Sequence, residues 1–122
     1  MIAATELELQ FKELYITEAW ANFNDSRQAM NHQHIHSGVI SGVFYIKTPP
    51  GSGRLAIVNP GMNCLWPGFS LARSKNEYTA DAMYVTPVEG ELVLWPSYIP
   101  HCVETNNHDE PRISVAVNIM LE

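Results

Sequence analysis

The chain has 122 residues, 46% of them hydrophobic, enough apolar material for one folded core and too much for a disordered segment. Seven Lys and Arg stand against thirteen Asp and Glu, and the formal net charge of −6 argues against a nucleic-acid or anionic-membrane partner. No apolar run approaches the roughly 18 residues of a membrane span, and no basic-then-apolar leader opens the sequence. The expectation is a single domain over residues 1–122, cytoplasmic, with Cys64 and Cys102 as free thiols rather than the one disulfide they could form.

Eight prolines and seven glycines cut the sequence into short pieces, and between the cuts the apolar residues run at period two or in short β-rich runs, with little helical spacing. Leu7, Leu9 and Phe11 alternate with Glu8 and Gln10 and read as a half-buried strand. Tyr15 to Phe23 reads as a second, with Trp20 on one face; the competing assignment is a helix over Thr17–Arg27 with Thr17 as N-cap. "SGVFYIK" from Ser41 to Lys47 ends at the Thr48-Pro49-Pro50-Gly51 turn, and "RLAIVN" from Arg54 to Asn59 stops at Pro60-Gly61. Further strands are expected at Met83–Val85, at "ELVLW" from Glu91 to Trp95, and at "RISVAVNIML" from Arg112 to Leu121. The least regular stretch, Leu65 to Asp81, reads as a long loop, and its Trp66, Phe69, Arg73 and Tyr78 make it a candidate lid. Seven or eight short strands between Pro/Gly turns describe an all-β sandwich or barrel.

The five histidines are unevenly placed. His32, His34 and His36 occupy alternate positions in "NHQHIH", and alternate side chains on a strand share a face. Neighbours two apart can converge on a metal about 2.1 Å from each nitrogen, whereas His32 and His36 are too far apart along an extended strand. The chelating pair is therefore His32/His34 or His34/His36. A third ligand must come from elsewhere, and His101, in "PSYIPHCVETN" just past the "ELVLW" strand, is the candidate. His108 lies in the polar "TNNHDEP" loop and reads as a surface residue. All-imidazole ligation suits Zn, Cu, Fe or Ni, and composition does not choose among them.

"HIHSGVISGVFYI", followed later by "GELVLWPSYIPHCVETNNHDEPRISVAVNI", resembles the small 2-oxoglutarate- and Fe(II)-dependent oxygenases of the prolyl-hydroxylase-like group. These carry a His-x-Asp/Glu pair followed by an "SGVYYL"-type strand, then a distant His, then an Arg roughly ten residues on. "SGVFYI" begins at Ser41, so the resemblance places the pair at His34 and His36, the distal His at His101 and the Arg at Arg112. The lead-in "ITEAWANFND" is also similar, so the resemblance runs from about Ile16 to the end. It implies a double-stranded β-helix (a jelly-roll, cupin-like barrel) with Fe(II) held by His34, His36 and His101. It also implies that Arg112, with Ser114 and Tyr45, anchors 2-oxoglutarate as co-substrate. The implied reaction is hydroxylation of an unidentified substrate with release of succinate and CO2. One departure stands out: His36 replaces the usual carboxylate, so three neutral imidazoles would leave the metal its full +2 charge. Asp25, Glu89 and Glu91 are the candidate carboxylates, with no spacing that puts any of them at the site.

Two other readings compete. The chain also resembles a cupin, since Gly90, Pro96 and His101 reproduce the second cupin motif and His34-Ile35-His36 begins the first. Tyr98 and Ile40, however, replace the Gly and Glu expected there. A three-His cupin-type dioxygenase or isomerase would not need the Arg112-x-Ser114 element. A binding module holding a metal or small acid without turnover is the other alternative. Exposed edge strands on so small a barrel predict self-association as a homodimer.

Overall fold

A computed structural model describes residues 13–25, 30–60 and 80–122. The described strands are β1 (Leu14–Asn24), β2 (Asn31–His34), β3 (Ile40–Lys47), β4 (Leu55–Val58), β5 (Ala82–Val85), β6 (Leu92–Pro96), β7 (His101–Val103) and β8 (Arg112–Leu121). They form two four-stranded sheets, ordered β1-β8-β3-β6 and β2-β7-β4-β5, and every pairing is antiparallel. The chain passes back and forth between the sheets as it goes, which is the winding of a double-stranded β-helix. No helix long and apolar enough to cross a membrane occurs among the described residues.

The strand reading of Tyr15–Phe23 holds and the Thr17–Arg27 helix does not form, because β1 lies in register with β8 from Leu14↔Leu121 to Asn24↔Arg112. That ladder satisfies the backbone of both strands and brings in β-branched neighbours, which outweighs a modest local helix preference. The expected strand over Leu7–Phe11 lies outside the described residues, as do Cys64 and all but the last two positions of the Leu65–Asp81 segment. Cys102 is a half-buried free thiol whose titration is pushed up, first by burial and then by nearby Glu104. His108 is half-buried rather than fully at the surface: its backbone N–H donates to Asn106 Oδ1, and its Nδ1 accepts from the Glu110 N–H, shaping the loop before β8.

The interior divides in two. On the β3–β6 and β4–β5 side, Val43, Tyr45, Leu55 and Trp95 form a buried cluster packed against Ile57, Val85, Val93 and Ile99. Full burial of a side chain such as Leu55 contributes about 1.5–3 kcal/mol, so this half carries much of the stability. The β1–β8 wall is more polar. Asn24 faces Arg112 and Asn22 faces Ser114 across the β1–β8 ladder, and further along it the exposed Glu18 faces Asn118. Arg112, Ser114 and Asn118 are all buried, while the alternate β8 residues Ile113, Val115 and Val117 point the other way. A smaller apolar cluster of Ile40 and Ile119, packed against Leu14, Val39, Leu94 and Val117, lies in the same sheet. A cavity opens between the polar wall and the first cluster, whose Val43, Tyr45, Leu55 and Trp95 line it.

The turn into β4 closes the base of the cavity. Gly53 has φ +75°, and a Cβ there would lie 2.3 Å from the Glu104 carbonyl oxygen and 2.7 Å from that of Thr105. Gly90 has a similar φ of +82° with nothing within 4 Å. Gly53→Ala is therefore expected to cost about 2 kcal/mol or more, because backbone must move as well as strain be accepted, against about 1 kcal/mol for Gly90→Ala. Urea unfolding of the two variants measures the difference.

Candidate metal and oxo-acid site

Three of the five histidines meet at the mouth of the cavity. One ring nitrogen each from His34, His36 and His101 lie within 4.8 Å of one another, with His34 exposed, His36 half-buried and His101 3% exposed. They come from three different local structures. His34 ends β2 and pairs with His101, the first residue of β7, so the sheet itself sets those two side by side. His36 lies past the end of β2, and its backbone N–H donates to the Ser97 carbonyl at 3.2 Å, which turns it back over the site. The expectation that three alternate histidines share one strand face is therefore corrected. The strand ends at His34, and His32 is exposed and outside the cluster.

The hydrogen bonds select tautomers. His101 Nδ1 lies 3.2 Å from the Ile99 carbonyl, and His34 Nδ1 lies against the carbonyl of His32. A carbonyl only accepts, so both rings carry their proton on Nδ1 and present a bare Nε2. His36 Nε2 is 3.1 Å from His101 Nε2. Two nitrogens bound cis to one six-coordinate metal at about 2.1 Å would be about 3.0 Å apart, so the pair is already at ligand spacing. Ring packing holds it there: the His36 and His101 rings stack at 4.9 Å and 16°, Trp20 tilts against His36 at 5.3 Å, and Trp95 against His101 at 4.7 Å. The donor set fits a divalent transition metal such as iron.

The second group sits deeper. Arg112 is 2% exposed, and its guanidinium donates from Nη1 to the Ser52 and Gly53 carbonyls at 2.8 and 3.1 Å and from Nη2 to Asn24 Oδ1 at 2.7 Å. All three acceptors are neutral. Of the five guanidinium donors, Nε–H and one Nη2–H have no acceptor among the described residues. Burial pulls the Arg112 pKa down from its usual value, and the nearby Tyr45 hydroxyl partly offsets this. Tyr45 is pushed up by burial and held back by Arg112. Tyr45 on β3 pairs with Ser114 on β8, so the three residues expected to act together are neighbours on the cavity wall.

Asn24 is a site residue that the sequence reading did not single out. Its Oδ1 accepts from Arg112, its Nδ2 donates to Asn31 Oδ1 at 2.8 Å, and its carbonyl accepts from the fully buried Asn106 at 2.9 Å. Its signal was parity: once Tyr15–Phe23 is a strand, Trp20, Asn22 and Asn24 share a face. Of the candidate carboxylates, Glu89 accepts from the Thr48 backbone N–H outside the cavity, and none of Asp25, Glu89 and Glu91 belongs to the ligand cluster.

A family profile described as "Putative 2OG-Fe(II) oxygenase" matches residues 18–118. The chain belongs to this family. Among solved structures, an oxidoreductase of the 2OG-Fe(II) oxygenase family from Burkholderia pseudomallei aligns with a TM-score of 0.72 at 12% identity, over 97% of this chain and 50% of that one. A prolyl-4-hydroxylase from Pseudomonas putida aligns with a TM-score of 0.61 at 20% identity, over 98% of this chain and 58% of that one. A non-heme monooxygenase, ThoJ in a nickel complex, gives a TM-score of 0.63 at 12% identity, over 88% and 44%. At these identities the likeness is one of fold, and the chain spans about half the length of the structures it matches. A search of curated protein sequences finds no match.

For this oxygenase-family chain the buried imidazole has a consequence before any metal arrives. Burial, and then the neighbouring His34 and His36, lower the His101 pKa from 6.5 to about 4, against the opposing bond to the Ile99 carbonyl. The unfolded chain takes up a proton at this residue near pH 6.5, whereas the folded chain resists until about pH 4. His101 thus contributes stability that is present above pH 6.5 and lost as pH falls towards 4. In metal-free protein, urea unfolding across this window is expected to show a smaller loss of stability on acidification for His101→Gln than for the parent.

Proposed function

We propose that the protein is an Fe(II)- and 2-oxoglutarate-dependent dioxygenase that hydroxylates a substrate held at the mouth of the cavity. His34, His36 and His101 hold the iron through Nε2. Arg112 receives the far carboxylate of the oxo acid, with the Ser114 and Tyr45 hydroxyls beside it. The observation that carries this reading is the pair of free donors on a buried arginine in the same cavity as three converging imidazoles. A buried cation without an anionic partner is costly, and a carboxylate taken bidentately would satisfy both charge and hydrogen bonds.

Each residue has a definable part. The Ser52 and Gly53 carbonyls and Asn24 fix the plane of the guanidinium, so it meets the oxo acid already oriented. Apolar Val43, Leu55 and Val103 line the same cavity and exclude water from the carboxylate contact, strengthening it. Trp20 and Trp95 limit rotation of the ligand rings. Iron and 2-oxoglutarate, once bound, supply the oxidising chemistry: the oxo acid becomes succinate and CO2, and one atom of O2 enters the substrate.

Anaerobic Fe(II) titration with and without 2-oxoglutarate tests the reading through a weak visible charge-transfer band that requires both. His101→Ala is expected to abolish iron binding. Arg112→Ala is expected to retain iron and to raise the 2-oxoglutarate requirement by roughly 30-fold or more, the factor for about 2 kcal/mol of lost buried charge pairing. Iron binding without any band in the parent would favour a three-His cupin-type or non-catalytic metal protein. Equal loss of iron and oxo-acid binding in Arg112→Ala would reduce that residue to a folding role.

A further inference from the structure

A site of three imidazoles lacks the negative charge that a ligand carboxylate brings, and the two sides of this chain's site differ in how they make it good. His34 and His101 each donate Nδ1–H to a backbone carbonyl, which fixes the ring and increases the basicity of Nε2. Among the described residues His36 has no such partner. In the metal-free arrangement its Nε2–H donates to the bare Nε2 of His101, so its own Nδ1 carries the lone pair. To bind a metal through Nε2, His36 must move its proton to Nδ1, where it needs an acceptor.

Glu18 stands on the wall that holds His36. It faces Asn118 across the β1–β8 ladder, and Asn118 Nδ2 donates to its Oε2 at 2.7 Å. The other end of the Asn118 amide accepts from the Ser41 hydroxyl at 3.3 Å, and Ser41 is bonded to the Ser97 hydroxyl at 2.7 Å. The Ser97 carbonyl in turn accepts the His36 backbone N–H. One run of hydrogen bonds, through side chains no more than 2% exposed, thus ties the Glu18 carboxylate to the His36 backbone. Trp20, two residues from Glu18 on the same face of β1, packs on the His36 ring. The Glu18 carboxylate stands close enough to that ring for its charge to be felt there.

We propose that Glu18, clamped by Asn118, is the outer carboxylate that accepts the His36 Nδ1–H when metal binds and so returns a negative charge to the three-His site. It is a positioning residue acting through His36, and it rests only on the metal-holding part of the function proposed above. The isolated carboxylate would not occupy a coordination position; the six-coordinate metal keeps the same number of open places as with a carboxylate ligand.

The test is anaerobic titration with Fe(II) alone, in the absence of 2-oxoglutarate, on the parent, Glu18→Gln and Glu18→Ala. Glu18→Gln keeps an oxygen for Asn118 and removes only the charge. Both variants are expected to bind iron roughly 10- to 100-fold more weakly, the usual effect of losing such a partner. Glu18→Gln is expected to keep the metal-free melting temperature of the parent, whereas Glu18→Ala also lowers it by leaving the buried Asn118 Nδ2 without its acceptor. The midpoint potential of iron in Glu18→Gln is expected to rise, because ferric iron loses the nearby negative charge. In Glu18→Gln, an affinity within about twofold of the parent, an unchanged potential, or a loss of affinity matched by a lower metal-free melting temperature would each overturn the assignment. A parent that binds no iron removes both this inference and the proposed function. A parent that binds iron in a Glu18-dependent way but ignores 2-oxoglutarate leaves this inference standing and removes only the oxygenase reading.

Discussion

The arrangement turns on a single buried positive charge. Arg112 sits 2% exposed among neutral acceptors, and desolvating a guanidinium costs several kcal/mol unless something answers its charge. Two parts of the chain meet the guanidinium itself, the end of β1 through Asn24 and the turn before β4 through Ser52 and Gly53, while Asn106 in the loop before β8 donates to the Asn24 carbonyl. Each contributes a dipole rather than a charge. The result is a cation that is held in place but left electrically unanswered among the described residues, which is the condition a site for a small dianion requires. The apolar cluster that forms the facing wall of the same cavity supplies stability that offsets this polar wall.

The metal end obeys a related logic. Two imidazoles 3.1 Å apart would repel if both offered lone pairs, and a shared proton resolves this in the metal-free state. The same proton must move when a cation arrives, and the His36 and His101 nitrogens are already at ligand spacing for it. Burial keeps His101 neutral down to acidic pH, so protons compete poorly for its Nε2. Preorganisation here is as much a matter of tautomers as of distances.

Much of this was legible in the sequence, for identifiable reasons. Short runs of β-branched and aromatic residues stopped by Pro and Gly located β3, β4 and β6, and "RISVAVNIML" located β8. The His-x-His pair and the Arg-x-Ser element were visible because each lies within a few residues. Less legible was β1, where Trp20, Asn22 and Asn24 carry no apolar alternation: their inward face lines a polar cavity, and helix spacing competed on equal terms. The three-residue β7 left no periodic signal at all, and only its pairing with His34 gives it a role. Glu18 was invisible for a third reason, because its partner Asn118 is a hundred residues away and nothing local marks the contact.

The pairing of β1 with β8 also dictates when the site can exist. Among the described residues, 14–24 pair with 112–121 alone, and Glu13 and Glu122 exchange backbone hydrogen bonds at 2.9 and 3.0 Å. Arg112, Ser114 and the Asn118 clamp all ride on β8, the last described strand to leave the ribosome. Contacts so distant in sequence form late, after the cost of closing a long loop has been met. A nascent chain would therefore display His34 and His36 well before His101, Arg112, Ser114 and Asn118 could close round them, so the candidate site comes into being all at once, when the end of the described chain folds back on its beginning.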